Sequence, residues 1–404
     1  MGTSDWSSSP PGFFASGEGG TPARKRLTAH SHASASTWRP HGTPGTVASN
    51  RDGEPGMGVV PDSMSSVAGL ARELMAVDST TGRESAVIDV MERALADRGW
   101  PVIRIPVSPG RDCLFARSHP DPVITLSTHL DTVPPWIGPS VDADRLSGRG
   151  ACDAKGIAAS MVEAAGGLRD RGHAVALLFV VGEETTHDGA RAANAWIAAN
   201  LPARPRILVN GEPTESTLAL GTKGALRAVI QATGKAAHSA YPHLGDSAIT
   251  RLVTLLAEIE RLSLPADPVL GETTINIGSI SGGVADNVIA PQAEARIMAR
   301  IVTPADEVFA TLEAWVAGRA TITRGISVPP VRLAAVDGFP TSVAAYATDL
   351  PALTNWGTPY LFGPGSVHVA HTDHEFVSIA ELESAAASYT RLAEAAIRAL
   401  PGVE

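Results

Sequence analysis

Four short apolar runs in this chain end on side chains that bind protons or metals. A fold must either gather those ends or leave them isolated at a cost. The clearest run is 123–131, VITLSTHLD. Val123, Ile124 and Leu126 have the composition of a buried strand, and His129 and Asp131 follow on one face of the extended backbone. Residues 174–181 (AVALLFVV) run into Gly182-Glu183-Glu184, and 207–209 into Asn210-Gly211-Glu212. Residues 360–362 run into Gly363-Pro364-Gly365-Ser366 and then His371. In open parallel sheets, sites form beyond the carboxyl ends of the strands. An edge that receives His, Glu, Glu, Glu and His from four strands reads as a metal site.

Composition narrows the alternatives. At 404 residues there is room for two domains. A net charge of −10 argues against binding a phosphate backbone, so no nucleic-acid partner is expected. The longest strongly apolar run, 174–181, is too short to cross a bilayer, so no membrane partner is expected either. Two cysteines, Cys113 and Cys152, make no disulfide framework and suit a reducing, cytoplasmic setting.

Residues 1–63 are rich in Gly, Pro, Ser and Thr without apolar periodicity, and read as a disordered tail. Five Lys/Arg and no acid fall between Thr21 and Arg51, a bias shared with transit peptides, but there is no apolar signal core. The tail reads as an extension or a consequence of start-site choice, not a functional module. From residue 64 to 221, strands and helices alternate, as in an α/β domain with a mostly parallel sheet. Helices are expected at 67–75, 85–98, 158–171 and 189–199, and strands at 102–107, 123–127, 174–181 and 207–209. Residues 222–334 change rhythm: strand 225–233, helix 246–262, strands 273–280 and 293–301, helix 307–317, strand 326–333. That β-α-β-β-α-β order is a split, ferredoxin-like unit, taken as an inserted lid and dimerisation domain. Residues 335–404 return to complete the first sheet and end in a helix over 379–400.

The candidate ligands are His129, Asp153, Glu184, Glu212 and His371. Imidazole nitrogen with carboxylate oxygen suits zinc, cobalt or manganese. One ion cannot use all five and leave room for a substrate, whereas two ions about 3.5–4 Å apart can, if one carboxylate bridges them. Asp153 is the natural bridge, set between the Gly148-Arg149-Gly150 turn and Gly156 at the head of a helix. Two divalent cations against three carboxylates leave one positive charge, which a bridging hydroxide neutralises. Water on such a centre has its pKa lowered to roughly 7. Of the adjacent Glu183 and Glu184, one can coordinate while the other takes the water's proton. General base help of that kind is worth about 10²–10⁴ in rate.

The motifs HLDTVP (129–134), GRGACDAKG (148–156), GEE (182–184), GEPT (211–214) and GPGSVHVAHTDHEF (363–376) resemble the co-catalytic dinuclear-zinc aminoacylase/carboxypeptidase family. Within it they are most similar to the acetylornithine deacetylase and succinyl-diaminopimelate desuccinylase branch. The resemblance spans residues 65–400 in order. It implies His129, Asp153 and Glu212 on one metal, and His371, Asp153 and Glu184 on the other. Glu183 would be the general base, and Asp131 would orient His129 from behind. His371, four positions before Glu375, is the implied ligand, with His374 the alternative. GKAAHSAYPHLGDSAI (234–249) resembles the family's lid motif, which implies that His238 reaches a partner subunit's site to stabilise an oxyanion. GGVADNVIAPQAEARIMAR (282–300) resembles the segment whose Asn287 and Arg300 hold the substrate carboxylate, and Gly365 joins them as a substrate-binding position. A bidentate Arg–carboxylate contact explains the preference for Arg there. Arg296 reads as a strand-face charge, and His187, His243 and Cys152 receive no role.

The expectation is thus a hydrolase with two divalent metals, Zn²⁺ foremost and Co²⁺ as an alternative, that removes the acyl group from an N-acyl amino acid. N-acetyl-L-ornithine is favoured, with acetyl-lysine and acetyl-citrulline as close relatives, in arginine or lysine biosynthesis. Alternatives on the same machinery are a desuccinylase, a dipeptidase or a glutamate-releasing carboxypeptidase. A catalytically silent metal-binding protein is the alternative of another class, and Glu183 argues against it, because a structural site has no need of a base. Because His238 belongs to a separate domain, a homodimer through residues 222–334 is expected.

Overall fold

The four apolar runs form four neighbouring strands of a six-stranded sheet. Its order is Val102–Ser108, Arg111–Arg117, Val175–Val180, Ile124–His129, Ile207–Asn210, Thr358–Leu361. The computed structural model describes residues 65–142 and 144–401, and the stretch 1–63 read above as a tail lies outside them. The last four strands of the sheet are parallel, and registers such as His129↔Val180, Ser127↔Asn210 and Asn210↔Leu361 bring their carboxyl ends to one edge. Every residue of Ile124–His129, Val175–Val180 and Ile207–Asn210 is buried, so these strands carry continuous apolar runs and not an alternating pattern. Helix Lys155–Asp170 lies against the two central strands and is covered in turn by Ser66–Met75 and Ile379–Arg398.

Residues 224–328 build a second layer pair with its own core. Its antiparallel sheet runs Thr274–Gly282, Gln292–Ile301, Gly224–Thr233, Thr321–Val328, the order expected of a ferredoxin-like split unit. Helices Ala248–Leu256 and Ala305–Val316 cover one face, and Ile230, Leu252, Leu255, Ile297, Val308 and Leu312 pack between. The outgoing and returning chains lie side by side: Leu218–Thr222 pairs with Val331–Arg332 and with Thr341–Ala344. The fold is therefore an α/β domain with a mostly parallel sheet and an inserted dimerisation-type α+β domain.

The sequence reading missed one strand, and one of its expectations needs correcting. The sheet carries an antiparallel hairpin at one edge, because Pro109-Gly110 turns Val102–Ser108 back into Arg111–Arg117, with Gly110 at φ +75°. The last strand of the insert is Thr321–Val328, not 326–333. Its β-branched start, Thr321-Ile322-Thr323, pairs with Gly224–Thr233, and Pro329-Pro330 cannot continue the ladder.

One buried ion-pair cluster locks the hairpin to the site edge. The Arg111 guanidinium donates to both Glu84 oxygens (2.8–3.1 Å) and to Asp188 (2.6 and 3.2 Å). The Glu84 side chain is 0% exposed. Arg111→Met therefore strands a buried carboxylate and should cost about 3–5 kcal/mol. Urea unfolding at neutral pH checks this, and adding Glu84→Gln should recover part of the loss.

Candidate metal centre

His129, the last residue of its strand, turns Nε2 to within 3.0 Å of Asp153 Oδ1 and 3.9 Å of Glu212 Oε2. His371 brings Nε2 to 3.2 Å from Asp153 Oδ2 and 3.1 Å from Glu184. The two oxygens of Asp153 thus face two different imidazoles. Ligand atoms of His129, Asp153 and Glu184 all lie within 4.8 Å of one another. Glu183 carries a mostly buried side chain beside them, 11% exposed. All five ligand candidates are gathered, with Glu183 adjacent.

Several groups hold this constellation. His129 Nδ1 is 2.9 Å from the Asp131 backbone carbonyl, while the Asp131 carboxylate is 3.6 Å away. That carboxylate instead accepts the Glu183 and Glu184 amides (3.1 and 3.3 Å) and the Thr81 hydroxyl (2.8 Å). Asp131 therefore fixes the Glu183-Glu184 turn as well as the ring. Thr128 donates to Gly211 O (2.8 Å), and Tyr346 to Pro213 O (2.9 Å), on either side of Glu212.

Glu375 is the residue whose role sequence reading missed, having served only as a spacing mark. Its carboxylate is buried, and Oε1 accepts the backbone N–H groups of Gly150, Cys152 and Asp153 (2.9, 3.3 and 3.2 Å). Oε2 takes Arg149 (2.7 Å), which also donates to Thr372 O. One carboxylate thus shapes the Asp153 loop and ties it to the His371 loop. A run of conformationally committed residues, GRGACD, facing an acid from another loop was the available signal. His371 itself sits at φ +64°, a strained choice for a non-glycine residue and common where a site dictates position.

Packing this many acids together moves their titration. Burial, then the neighbouring carboxylates, pushes Glu183 and Glu212 well above the usual carboxylate range, and Glu184 upward. Burial acts the same way on Asp153, but hydrogen bonds from His129 and His371 outweigh it and hold Asp153 low. Asp153 and Glu184 push His371 up to about 10. Such a cluster requires positive charge within it, as protons or as metal cations.

Comparison with known proteins agrees with that chemistry. Residues 114–217 match the model for "Peptidase family M28", and residues 220–321 match that for "Peptidase dimerisation domain" of the M20 type. A "Probable carboxypeptidase" of Aspergillus terreus is 37% identical over 369 residues, covering 81% of this chain and 85% of that protein. The chain belongs to the M20/M28 metallopeptidase family. Two solved structures share the fold of this family. An M20 family metallo-carboxypeptidase from Sulfolobus solfataricus has a TM-score of 0.66 at 15% identity, over 82% of this chain and 99% of that one. A dinuclear metal-binding M20 peptidase from Bacillus subtilis has a TM-score of 0.61 at 16%, over 83% and 98%.

The donors fit the two divalent cations of an M20/M28 metallopeptidase. His129 presents Nε2, with Nδ1 at hydrogen-bond distance from a carbonyl, and Glu212 Oε1 is buried without a hydrogen-bond partner among the described residues. The remaining expected residues fall elsewhere. His238 is exposed in the insert, where it contacts Tyr241 and pairs with Val288. Asn287 lies beside it, its carbonyl taking the Ser239 amide (2.9 Å). Arg300 is half-buried on the insert's sheet, with Arg227 as a like-charged neighbour. Among the described residues, none of these three hydrogen-bonds the cluster. Gly365 has both backbone groups engaged, N–H to Glu381 (2.8 Å) and carbonyl from Glu215 (2.9 Å). An added Cβ there would lie 2.4 Å from Cys152 Cβ, so close packing accounts for the glycine. His374 is exposed and hydrogen-bonds only locally.

Chelation should lower stability, because two ions bound at 100–1,000 times their Kd contribute about 3–4 kcal/mol each. Glu375→Gln should weaken metal uptake about 10–100-fold by loosening the Asp153 loop. Metal titration of chelated protein, followed by melting temperature and metal content, checks both.

Proposed function

We propose that this metallopeptidase is a carboxypeptidase-type amidohydrolase, cleaving the amide in front of an amino acid that bears a free α-carboxylate. The observation that carries the reading is Glu183. Its carboxylate borders the ligand cluster yet accepts no hydrogen bond among the described residues, while the adjacent Glu184 contacts His371. A structural metal site has no use for such a group, and a hydrolase does.

Zinc, with cobalt as a substitute, suits the donors His129, Asp153, Glu184, Glu212 and His371. When bound, the two ions would polarise the scissile carbonyl and acidify a water molecule. Glu183 takes the proton of the attacking water and hands it to the leaving amine. Asp131 holds the Glu183-Glu184 backbone still while it does so. Arg300 and Asn287 receive the substrate carboxylate, and His238 of a second copy faces the developing oxyanion. The name carried by the Aspergillus relative supports a peptide substrate, and it shifts the reading away from N-acetylornithine, which the motifs alone favoured.

A substrate panel tests this: N-blocked dipeptides, free dipeptides, N-acetyl-L-ornithine and N-succinyl-diaminopimelate. Turnover should be fastest on N-blocked dipeptides, and fastest turnover of acetylornithine would restore the deacetylase reading. Glu183→Gln should keep both metals and lose at least about 10²-fold in kcat. A homodimer through the insert is the second expectation. Light scattering should report twice the chain mass, and a fully active monomer would remove His238 from the site.

A further inference from the structure

His187 and Asp349 form a pair at the rim of the site that no step above uses. The turn leaving strand Val175–Val180 closes when the amides of Thr186 and His187 both donate to Gly182 O (3.0 and 2.7 Å). His187 ends that turn at φ 53°, ψ 27°, left-handed geometry that a non-glycine residue adopts only when its surroundings demand it. This backbone folds the imidazole back over Glu183, four residues earlier. Nδ1 lies 2.9 Å from Asp349 Oδ1 and 4.0 Å from Glu183 Oε1. The Asp349 side chain is 2% exposed, and among the described residues His187 is its one side-chain hydrogen-bond partner. A buried carboxylate with a single partner fixes that partner's ring, with Nδ1 the atom that faces both Asp349 and Glu183.

The wider turn is clamped in the same sense. Asp188, next along, is held by Arg111, and an added Cβ on Gly182 would lie 2.1 Å from Asp188 Oδ1. Asp131 takes the amides of Glu183 and Glu184 from the other side. Backbone and neighbours are thus fixed, while the Glu183 carboxylate itself accepts no hydrogen bond among the described residues. Glu184, Glu212 and Asp349 all repel it. His187 Nδ1 lies 4.0 Å from it, and among the described residues His187 hydrogen-bonds none of the five ligand candidates, whereas His129, the other imidazole acting on Glu183, is itself one of them.

We infer that His187, oriented by Asp349, is a positioning residue for the Glu183 carboxylate, holding the base in its productive rotamer. The inference rests on the reading of Glu183 as base. His187 acts through Glu183 and needs no contact with substrate. A 1 Å misplacement of a reacting group can cost about 10² in rate, so the effect belongs in kcat and not in KM.

The test uses His187→Gly, which suits the left-handed backbone and removes the ring, together with His187→Asn, which tolerates that backbone and keeps a donor. Each is assayed on the panel member turned over fastest, an N-blocked dipeptide on the reading above. His187→Gly should keep two metals per chain, with a lower melting temperature because the buried Asp349 carboxylate loses its partner. Its kcat should fall about 10–100-fold with KM within about 2-fold, and His187→Asn should recover part of the loss. Asp349→Asn should reproduce the kcat loss. In the Glu183→Gln background, His187→Gly should cost nothing more. A kcat for His187→Gly within about 2-fold of wild type, or a full loss persisting in the Glu183→Gln background, would overturn the inference. If Glu183→Gln alone kept wild-type kcat, the base assignment would fall, and this inference with it. If Glu183→Gln lost turnover and His187→Gly did not, only the inference would fall.

Discussion

A single aspartate facing two imidazoles sets the terms for the rest of the catalytic domain. Asp153 can meet His129 and His371 only if the loop before helix Lys155–Asp170 is held against the loop after strand Thr358–Leu361. The buried Glu375 carboxylate does this by accepting three successive-loop amides and one arginine. Backbone amides are fixed donors with no rotamer freedom, so an acid that gathers three of them defines a loop conformation better than side-chain contacts could. The parallel strands deliver the other groups, because their registers end at one edge.

That arrangement concentrates negative charge where water is largely excluded. Asp131, Asp153, Glu183, Glu184 and Glu212 lie together, four of them with side chains no more than about a tenth exposed and Asp131 fully buried. Such a cluster needs compensating positive charge, as protons or as cations. Folding and metal uptake are therefore linked, and groups that merely orient the cluster matter to both. Asp131 illustrates the economy: its carbonyl faces His129 while its carboxylate caps the turn bearing the base.

The core of this was legible in the sequence because it rests on local signals. Apolar runs of strand length ending in His or Glu announced the parallel strands and four ligand candidates, the glycine turn before a helix announced Asp153, and the strand–helix order announced the insert. What escaped notice depends on partners far along the chain. Arg111–Arg117 has only CLFA as an apolar centre, and its pairing with Val175–Val180 crosses some sixty residues. Glu375 is one acid among several in HTDHEF, and its role appears only when the GRGACD loop lies over it. The close packing of Gly365 against Cys152, from another segment, likewise leaves no local trace. The Asp349–His187 contact spans 162 positions and leaves no periodic trace.

The same logic explains why the metal-site motifs did not settle the substrate. An N-acyl amino acid and the carboxyl end of a peptide present the same unit to the cluster, an amide followed by a free carboxylate. Metal donors and base see only that unit, so identical motifs serve either reaction. Discrimination must come from groups that touch the acyl or peptide side and the amino-acid side chain. His238 and Asn287, exposed on the insert, and Arg300 are proposed above for the oxyanion and the carboxylate, which belong to that shared unit. Exposed positions of that kind obey no hydrophobic period and carry no ligand signature. Two chains can therefore share every residue of the metal centre and differ in what they cleave.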